Sequence, residues 1–364
     1  MNILYISHLS TNIAAGPNWS VPARVKAQAK YDNVLLLNTT NVMMEHWKTV
    51  GSFHNLNEFG ELKLKNLPEP FSRPDVVVFE GFNFMEHVRF AKDLKKIGIP
   101  YIVTPRGAMT YEAQHNHAWL KKTAARWLFL RSFVNNAVAI QYLTKGEYER
   151  SVRMFNAPHF ILPNGFNEPQ KKKTVFSKKG IKAVFIGRID MYHKGLDLLL
   201  KAIASIKDNL SLAGFTLSIY GPRRYDFYKI EELIKALNIG SVVSLHNEIS
   251  GNDKERVLLS SDLFVMTSRL EGLPMGLLEA FAYGLPCLIT QGTNMKDEVE
   301  RFDAGWTCMG NENEIKENLI KIIEEGKCLP LKGSNAISLS QCYLWDNIAV
   351  RFHDKVSSLI SPDF

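Results

Sequence analysis

Short apolar runs recur along the chain. Ile3–Ile6, Val34–Leu37, Val76–Phe79 and Tyr101–Val103 come first, followed by Ala183–Ile186, Leu217–Tyr220, Leu263–Met266 and Cys287–Ile289. They are continuous rather than alternating, as expected of strands covered on both faces. Between many of them lie segments whose apolar residues recur at helical spacing, such as Leu196–Ile206 and Tyr228–Leu237. Strands alternating with helices predict βαβ units and α/β architecture around parallel sheets. Function in such sheets belongs in the loops at the carboxyl ends of the strands.

The chain has 364 residues, room for two domains. The break in pattern falls at 167–180, NEPQKKKTVFSKKG, which is polar and basic and carries Pro169 and Gly180. A new apolar strand follows at once. The reading is a first domain over 1–167 and a second over 168–344, with a helix near 345–360 able to pack back on the first. No apolar run reaches the roughly 18 residues of a membrane-spanning helix. The N-terminal MNILYISHLS reads as a first strand and not as a signal peptide. Four cysteines without a C-x-x-C pair read as thiols in a reducing compartment. A cytoplasmic location is expected, with peripheral attachment to the inner membrane face as a variant of it. The net charge of +7 favours anionic partners: nucleotide, nucleic acid or acidic lipid. Nucleic acid ranks last, since no recognisable binding module is present.

Two loops carry candidate chemistry. After Ala183–Ile186 comes GRIDMYHKGLDLLLKAIA. Gly187 allows a sharp turn, and Arg188 and Lys194 stand six apart just before a helix starting near Leu196. Two cations beside a helix N-terminus suit a diphosphate; the same pair also reads as solvated loop cations. After Leu263–Met266 comes EGLPMGLLEAFAYGLP, Glu271 to Pro286. A helix is expected to begin near Gly276, with Glu279 in its first turn and turn amides available for phosphate or sugar oxygens. Carboxylates bond sugar hydroxyls strongly, though Glu279 also reads as simple favourable placement near a helix N-terminus.

In order and spacing these two loops resemble the donor half of the group 1 glycosyltransferases, whose E-x7-E marker is matched by Glu271 and Glu279. LPNGF (162–166) is similar to the family's junction motif, LTKGEYE (143–149) to the segment before it, and Tyr220–Pro222 to its glycine-containing loop. TPRGAM (104–109) resembles a loop of capsule and lipopolysaccharide members. The resemblance implies the GT-B fold, two Rossmann-like domains facing each other across a cleft. It implies a retaining transferase moving a hexose-type sugar from a nucleotide-diphosphate sugar to a glycan or lipid-linked acceptor in surface polysaccharide synthesis. The alternative is a catalytically inert nucleotide-sugar-binding subunit of the same fold.

By the same resemblance, Glu279 holds the ribose and Glu271 the donor sugar. Arg188 and Lys194 clamp the diphosphate, joined by backbone amides of Met275, Gly276, Leu277 and Leu278. Gly187 and Gly221 belong to the donor loops. Asn247 borders the base, and Gly16 lets the first domain's backbone approach the ligand, though it reads equally as a plain turn glycine. Arg106 stands where many relatives have histidine; it reads either as a contact to acceptor or phosphate or as a structural cation. No cofactor is expected. No metal is expected either, because the Arg and Lys charges can replace a divalent ion and no D-x-D lies in a suitable loop.

Residues 119–133, WLKKTAARWLFLRSF, mix Lys121, Lys122, Arg126 and Arg131 with Trp119, Trp127, Leu128, Leu130 and Phe133. They read either as a helix lying on an anionic membrane surface or as a core helix with a basic face. Lys171–Lys173 with Lys178, Lys179 and Lys182 read as an extension of that basic surface or as a solvated linker. His8, His115 and His117 receive no role.

Overall fold

A computed structural model describes residues 1–12, 16–111, 123–151, 157–224 and 226–361. The chain divides into two compact units, Met1–Gly165 with Trp345–Phe364, and Phe166–Leu344. The first unit contains strands β1 (Asn2–Ser7), β2 (Asn33–Asn38), β3 (Phe53–Asn55), β4 (Val76–Glu80), β5 (Tyr101–Thr104), β6 (Ala139–Tyr142) and β7 (His159–Ile161). They form one sheet in the order β3-β2-β1-β4-β5-β6-β7, with every pairing parallel. Its helices are α1 (Pro17–Gln28), α2 (Met85–Lys96), α3 (Thr123–Asn135) and α4 (Lys145–Arg150).

The second unit contains β8 (Ile181–Ile186), β9 (Phe215–Tyr220), β10 (Val243–His246), β11 (Leu263–Met266), β12 (Cys287–Thr290) and β13 (Gly305–Cys308). Their order is β10-β9-β8-β11-β12-β13, again parallel. Around the sheet run α5 (Leu196–Ser205), α6 (Lys207–Leu212), α7 (Phe227–Ala236), α8 (Gly251–Ser260), α9 (Met275–Ala282), α10 (Lys296–Phe302), α11 (Glu312–Glu324) and α12 (Leu329–Gln341). The last helix, α13 (Trp345–Ile360), returns to the first unit and buries Trp345, Ile348, Ala349, Phe352 and Val356 with β1 and α1 residues.

Side chains alternate across each strand, so each sheet has a core on either face. Leu4 and Ile6 of β1 join one, Ile3 and Tyr5 the other. On β8, Ala183 and Phe185 face one side and Val184 the other. Both sheets are doubly wound, and each reverses direction beside its first strand: between β1 and β4, and between β8 and β11. That reversal opens a crevice at the carboxyl ends, the usual ligand position. All eight expected strands are present.

Three expectations change. The break between units lies between Gly165 and Phe166, two residues ahead of the expected 167/168. Lys173 is buried against Asp262 and so joins neither a free basic surface nor a solvated linker, whereas Lys171 stays exposed while pairing with Glu255, and Lys172 pairs with Glu168. In α3, Leu130 and Phe133 are buried in the unit's core, which withdraws two apolar residues from any lipid-facing stripe. Trp119, Lys121 and Lys122, like His115 and His117, lie outside the described residues. Among the described residues no helix is long and apolar enough to cross a membrane.

Candidate donor site

The two candidate loops meet at the second unit's reversal point, one following β8 and the other β11. Gly195 caps α5 in the left-handed region, at φ 62°. A Cβ there would stand 2.0 Å from the Thr267 carbonyl oxygen, so the loops approach closer than any side chain permits. Thr267 Oγ1 donates to the Gly195 carbonyl at 3.2 Å. This contact delivers Lys194 to Glu271: Nζ to Oε1 is 2.6 Å, with both side chains largely buried. Ser268 Oγ donates to the same carboxylate oxygen at 2.6 Å. Asn294 Nδ2 donates to the Glu271 carbonyl at 2.6 Å, and the Glu271 N–H to the Gly292 carbonyl at 2.9 Å, fixing the turn from behind.

Arg188 points to Asp190, 3.1 Å away. Burial raises the Asp190 pKa, but the His193 N–H and ring, with Arg188, outweigh it and hold the carboxyl below its ordinary value. The Asp190 side chain thereby closes the turn that carries Lys194. Arg188 is about half exposed, so it stands at the rim while Lys194 stands inside. Gly187 donates its N–H to the Tyr220 carbonyl at 3.0 Å. At Gly221 a Cβ would fall 2.3 Å from the Gly187 carbonyl, so the loop after β9 is pressed against the loop after β8.

Glu279 is the fifth residue of α9, one position beyond the expected first turn, because the helix starts at Met275. Its carboxylate pairs with Lys254 of α8, a residue the sequence did not single out. Of the four amides expected to face a diphosphate, three already donate within the chain. Met275 N–H bonds the Leu273 carbonyl, and Leu277 and Leu278 N–H groups both bond the Pro274 carbonyl. The turn satisfies these amides itself; Gly276 is the fourth of the set. Asn247 accepts from Arg223 Nε at 2.7 Å beside Tyr220 and His246, whose rings stack at 4.7 Å.

Two expected site residues lie in the first unit. Gly16 caps α1 with right-handed dihedrals, φ −51° and ψ −41°, and a Cβ would meet nothing within 4 Å. Its backbone does not require glycine. Arg106 is a buried cation. Its Nε donates to Glu80 at 2.7 Å and its Nη1 to Ser20 Oγ at 2.9 Å and Asn164 Oδ1 at 3.3 Å. Glu80 is buried and also binds Arg24, at 2.9 Å; Arg24 in turn reaches Gln141 and lies over the Phe352 ring. Burial opposes the Glu80 charge, but Arg106 and Arg24 outweigh it and keep the pKa low. The structural-cation reading of Arg106 therefore describes its geometry, with a carboxylate as partner.

Residues 166–334 match the family described as glycosyl transferases group 1. A Bacillus subtilis (strain 168) protein named putative glycosyltransferase EpsF is 30% identical over 216 residues, 52% of this chain and 52% of its own length. The chain thus spans about half the length of the curated relatives it matches. Among solved structures, Anabaena HepE in complex with UDP superposes with a TM-score of 0.72 at 16% identity, over 98% of this chain and 100% of that one. The lipopolysaccharide outer core galactosyltransferase WaaB, in its apo form, gives 0.69 at 15%, over 98% and 99%. At such identities the likeness is one of fold. The match to the group 1 glycosyltransferases covers most of the second unit, and both units have the Rossmann-like form of the GT-B enzymes.

Proposed function

We propose that the chain is a retaining, metal-independent glycosyltransferase. It takes a hexose-type sugar from a nucleotide-diphosphate donor and passes it to a glycan or lipid-linked acceptor in surface polysaccharide synthesis. The observation that carries this reading is the Lys194–Glu271 couple, held at the reversal point of the second sheet by the contact between Gly195 and Thr267. A lysine on a helix-leading loop supplies positive charge where a diphosphate would leave, and the carboxylate beside it suits sugar hydroxyls. Arg188 at the rim adds the second cation. Glu279, across the α9 start, would hold the ribose. The structures of HepE with UDP and with UDP-glucose support a nucleotide-sugar donor by fold analogy.

In the reaction the bond between the anomeric carbon and the diphosphate oxygen breaks, and the acceptor oxygen attacks on the same face. The acceptor's proton passes to the departing phosphate oxygen. Charge developing on the diphosphate is met by Lys194 and Arg188, so no divalent ion is required.

The test is a panel of UDP-, GDP-, ADP- and TDP-sugars, assayed by thermal shift and by release of nucleoside diphosphate, with and without EDTA. At least one donor should raise the melting temperature and turn over slowly, with no loss in EDTA. Lys194→Ala should cut turnover by about 100-fold or more. Donor binding without turnover in any condition would instead favour an inert binding subunit.

A further inference from the structure

The carboxyl edge of the first unit's sheet carries two aromatic ring pairs that the donor chemistry does not use. Trp19, in the first turn of α1, stacks on His46 with centroids 4.0 Å apart and planes 8° from parallel. Yet Trp19 remains 48% exposed. His46 belongs to the 3-10 helix Glu45–Thr49, which follows β2. The pair is fixed from beneath: the Asn18 carbonyl accepts from the buried Trp47 Nε1 at 2.7 Å and contacts His46 Nε2 at 3.1 Å. The Asn18 side chain ties in the loop after β1, donating to the Asn12 carbonyl at 2.7 Å and accepting from the Ser10 N–H at 3.1 Å. Beyond them His8 stacks on Phe84 at 4.3 Å, in the loops after β1 and β4. These are the loops that flank the sheet's reversal point, where open α/β sheets take ligands.

We infer that Trp19, backed by His46, is a stacking platform for a pyranose ring of the acceptor glycan, an assignment that rests on the proposed transferase reading. An indole held at a fixed angle covers a large apolar face at little cost in conformational entropy. Its surroundings decide the occupant. Ser10, Asn12 and Glu45 are exposed beside it, and Lys48 pairs with Glu45. A lipid chain needs a contiguous apolar surface, which this polar rim interrupts. A pyranose has one apolar C–H face and a belt of hydroxyls, matching one ring within a polar rim. A nucleobase would also stack, but the cations suited to its phosphates stand in the second unit.

The experiment uses the full chain and saturation-transfer NMR with methyl α- and β-pyranosides of glucose, galactose, mannose and N-acetylglucosamine. At least one should receive saturation at the ring C–H protons. Trp19→Ala should reduce that transfer roughly three- to tenfold, the scale of one aromatic stack, Trp19→Phe should retain most of it, and His46→Ala should weaken it. The UDP thermal shift of Trp19→Ala should match the parent, and calorimetry should show its first-unit transition unchanged, which certifies its fold. No Trp19-dependent transfer overturns the assignment, as does loss in Trp19→Ala of binding to UDP or to phosphatidylglycerol vesicles. If the parent turns over no nucleotide sugar but the Trp19-dependent contact persists, the transferase reading falls and the platform stands.

Discussion

Replacing Gly195 with alanine tests the junction that makes the donor site. The residue sits at φ 62°, where a Cβ costs about 1–2 kcal/mol. The new atom would also lie 2.0 Å from the Thr267 carbonyl oxygen, a main-chain atom that cannot swing aside. Relief needs a shift of about 1 Å between the loops after β8 and β11, with an overpacking cost of about 1–3 kcal/mol. The sum is about 2–5 kcal/mol. For a unit of this size, roughly 2–4 °C of melting temperature go with each kcal/mol. Gly195→Ala should therefore lower the second unit's calorimetric transition by roughly 4–20 °C. Lys194 is the neighbouring residue and moves with the same loop, and a misplacement of about 1 Å is worth on the order of 100-fold in turnover. The pair of measurements is calorimetry on the full chain and nucleoside diphosphate release. A transition within about 2 °C of the parent, with unchanged turnover, would refute the claim that this contact sets the Lys194–Glu271 geometry.

Other outcomes follow from the same geometry. Glu80→Gln leaves Arg24 and Arg106 buried without their carboxylate and should cost roughly 3–5 kcal/mol at pH 7 in denaturant unfolding. Because the Glu80 pKa is lowered in the folded chain, its stabilisation is complete above about 4.5 and fades as pH falls through the folded value. The gap between parent and variant should accordingly narrow in acid; a gap constant from pH 7 to pH 3 would contradict the ion-pair account. Gly16→Ala meets no neighbour and keeps right-handed dihedrals, so calorimetry should show an unchanged or slightly raised first-unit transition. Weaker donor affinity in that stable variant would be the mark of a ligand approaching Gly16. Lys254→Met breaks a partly exposed pair with Glu279, worth at most about 1 kcal/mol. Melting should shift by less than roughly 4 °C, and a larger drop would assign the pair to the fold rather than the site.

What could be read from the letters depended on burial. The eight apolar runs that announced strands are interior strands, covered on both faces. The four sheet edges, β3, β7, β10 and β13, went unannounced. Two have only three residues, and β10 and β13 interleave more and less buried positions. The interior β6 also escaped notice, because Gln141 interrupts its apolar run to reach Arg24. At the donor site, Arg188, Lys194 and Glu271 were legible because each lies in the loop that follows an apolar strand. Ser268 stands in the same loop, three residues before Glu271, and the strand-end rule could have found it. Lys254 could not be found so, being an ordinary lysine on a polar helix 25 residues from Glu279. Arg106 could not be assigned between a ligand contact and a structural cation because its partner lies 26 residues upstream, at the end of β4.

The second unit begins and ends at one spot. Phe166 and Leu344 form a parallel bridge, and the Phe166 N–H bonds the Tyr343 carbonyl at 3.0 Å. On the other side of that junction, Gly165 packs so tightly on Trp345 that a Cβ would be 2.8 Å from the Trp345 Cα. In engineering terms the second unit is a cassette spliced into a host domain. Residues 166–344 can be cut out as one uninterrupted polypeptide, and a minimal linker from 165 to 345 would reseal the host with its C-terminal helix in place. Deleting that helix instead would strip Trp345 and Phe352 from the host's core, so a truncation intended to trim the tail would damage the half of the protein farthest from it in sequence.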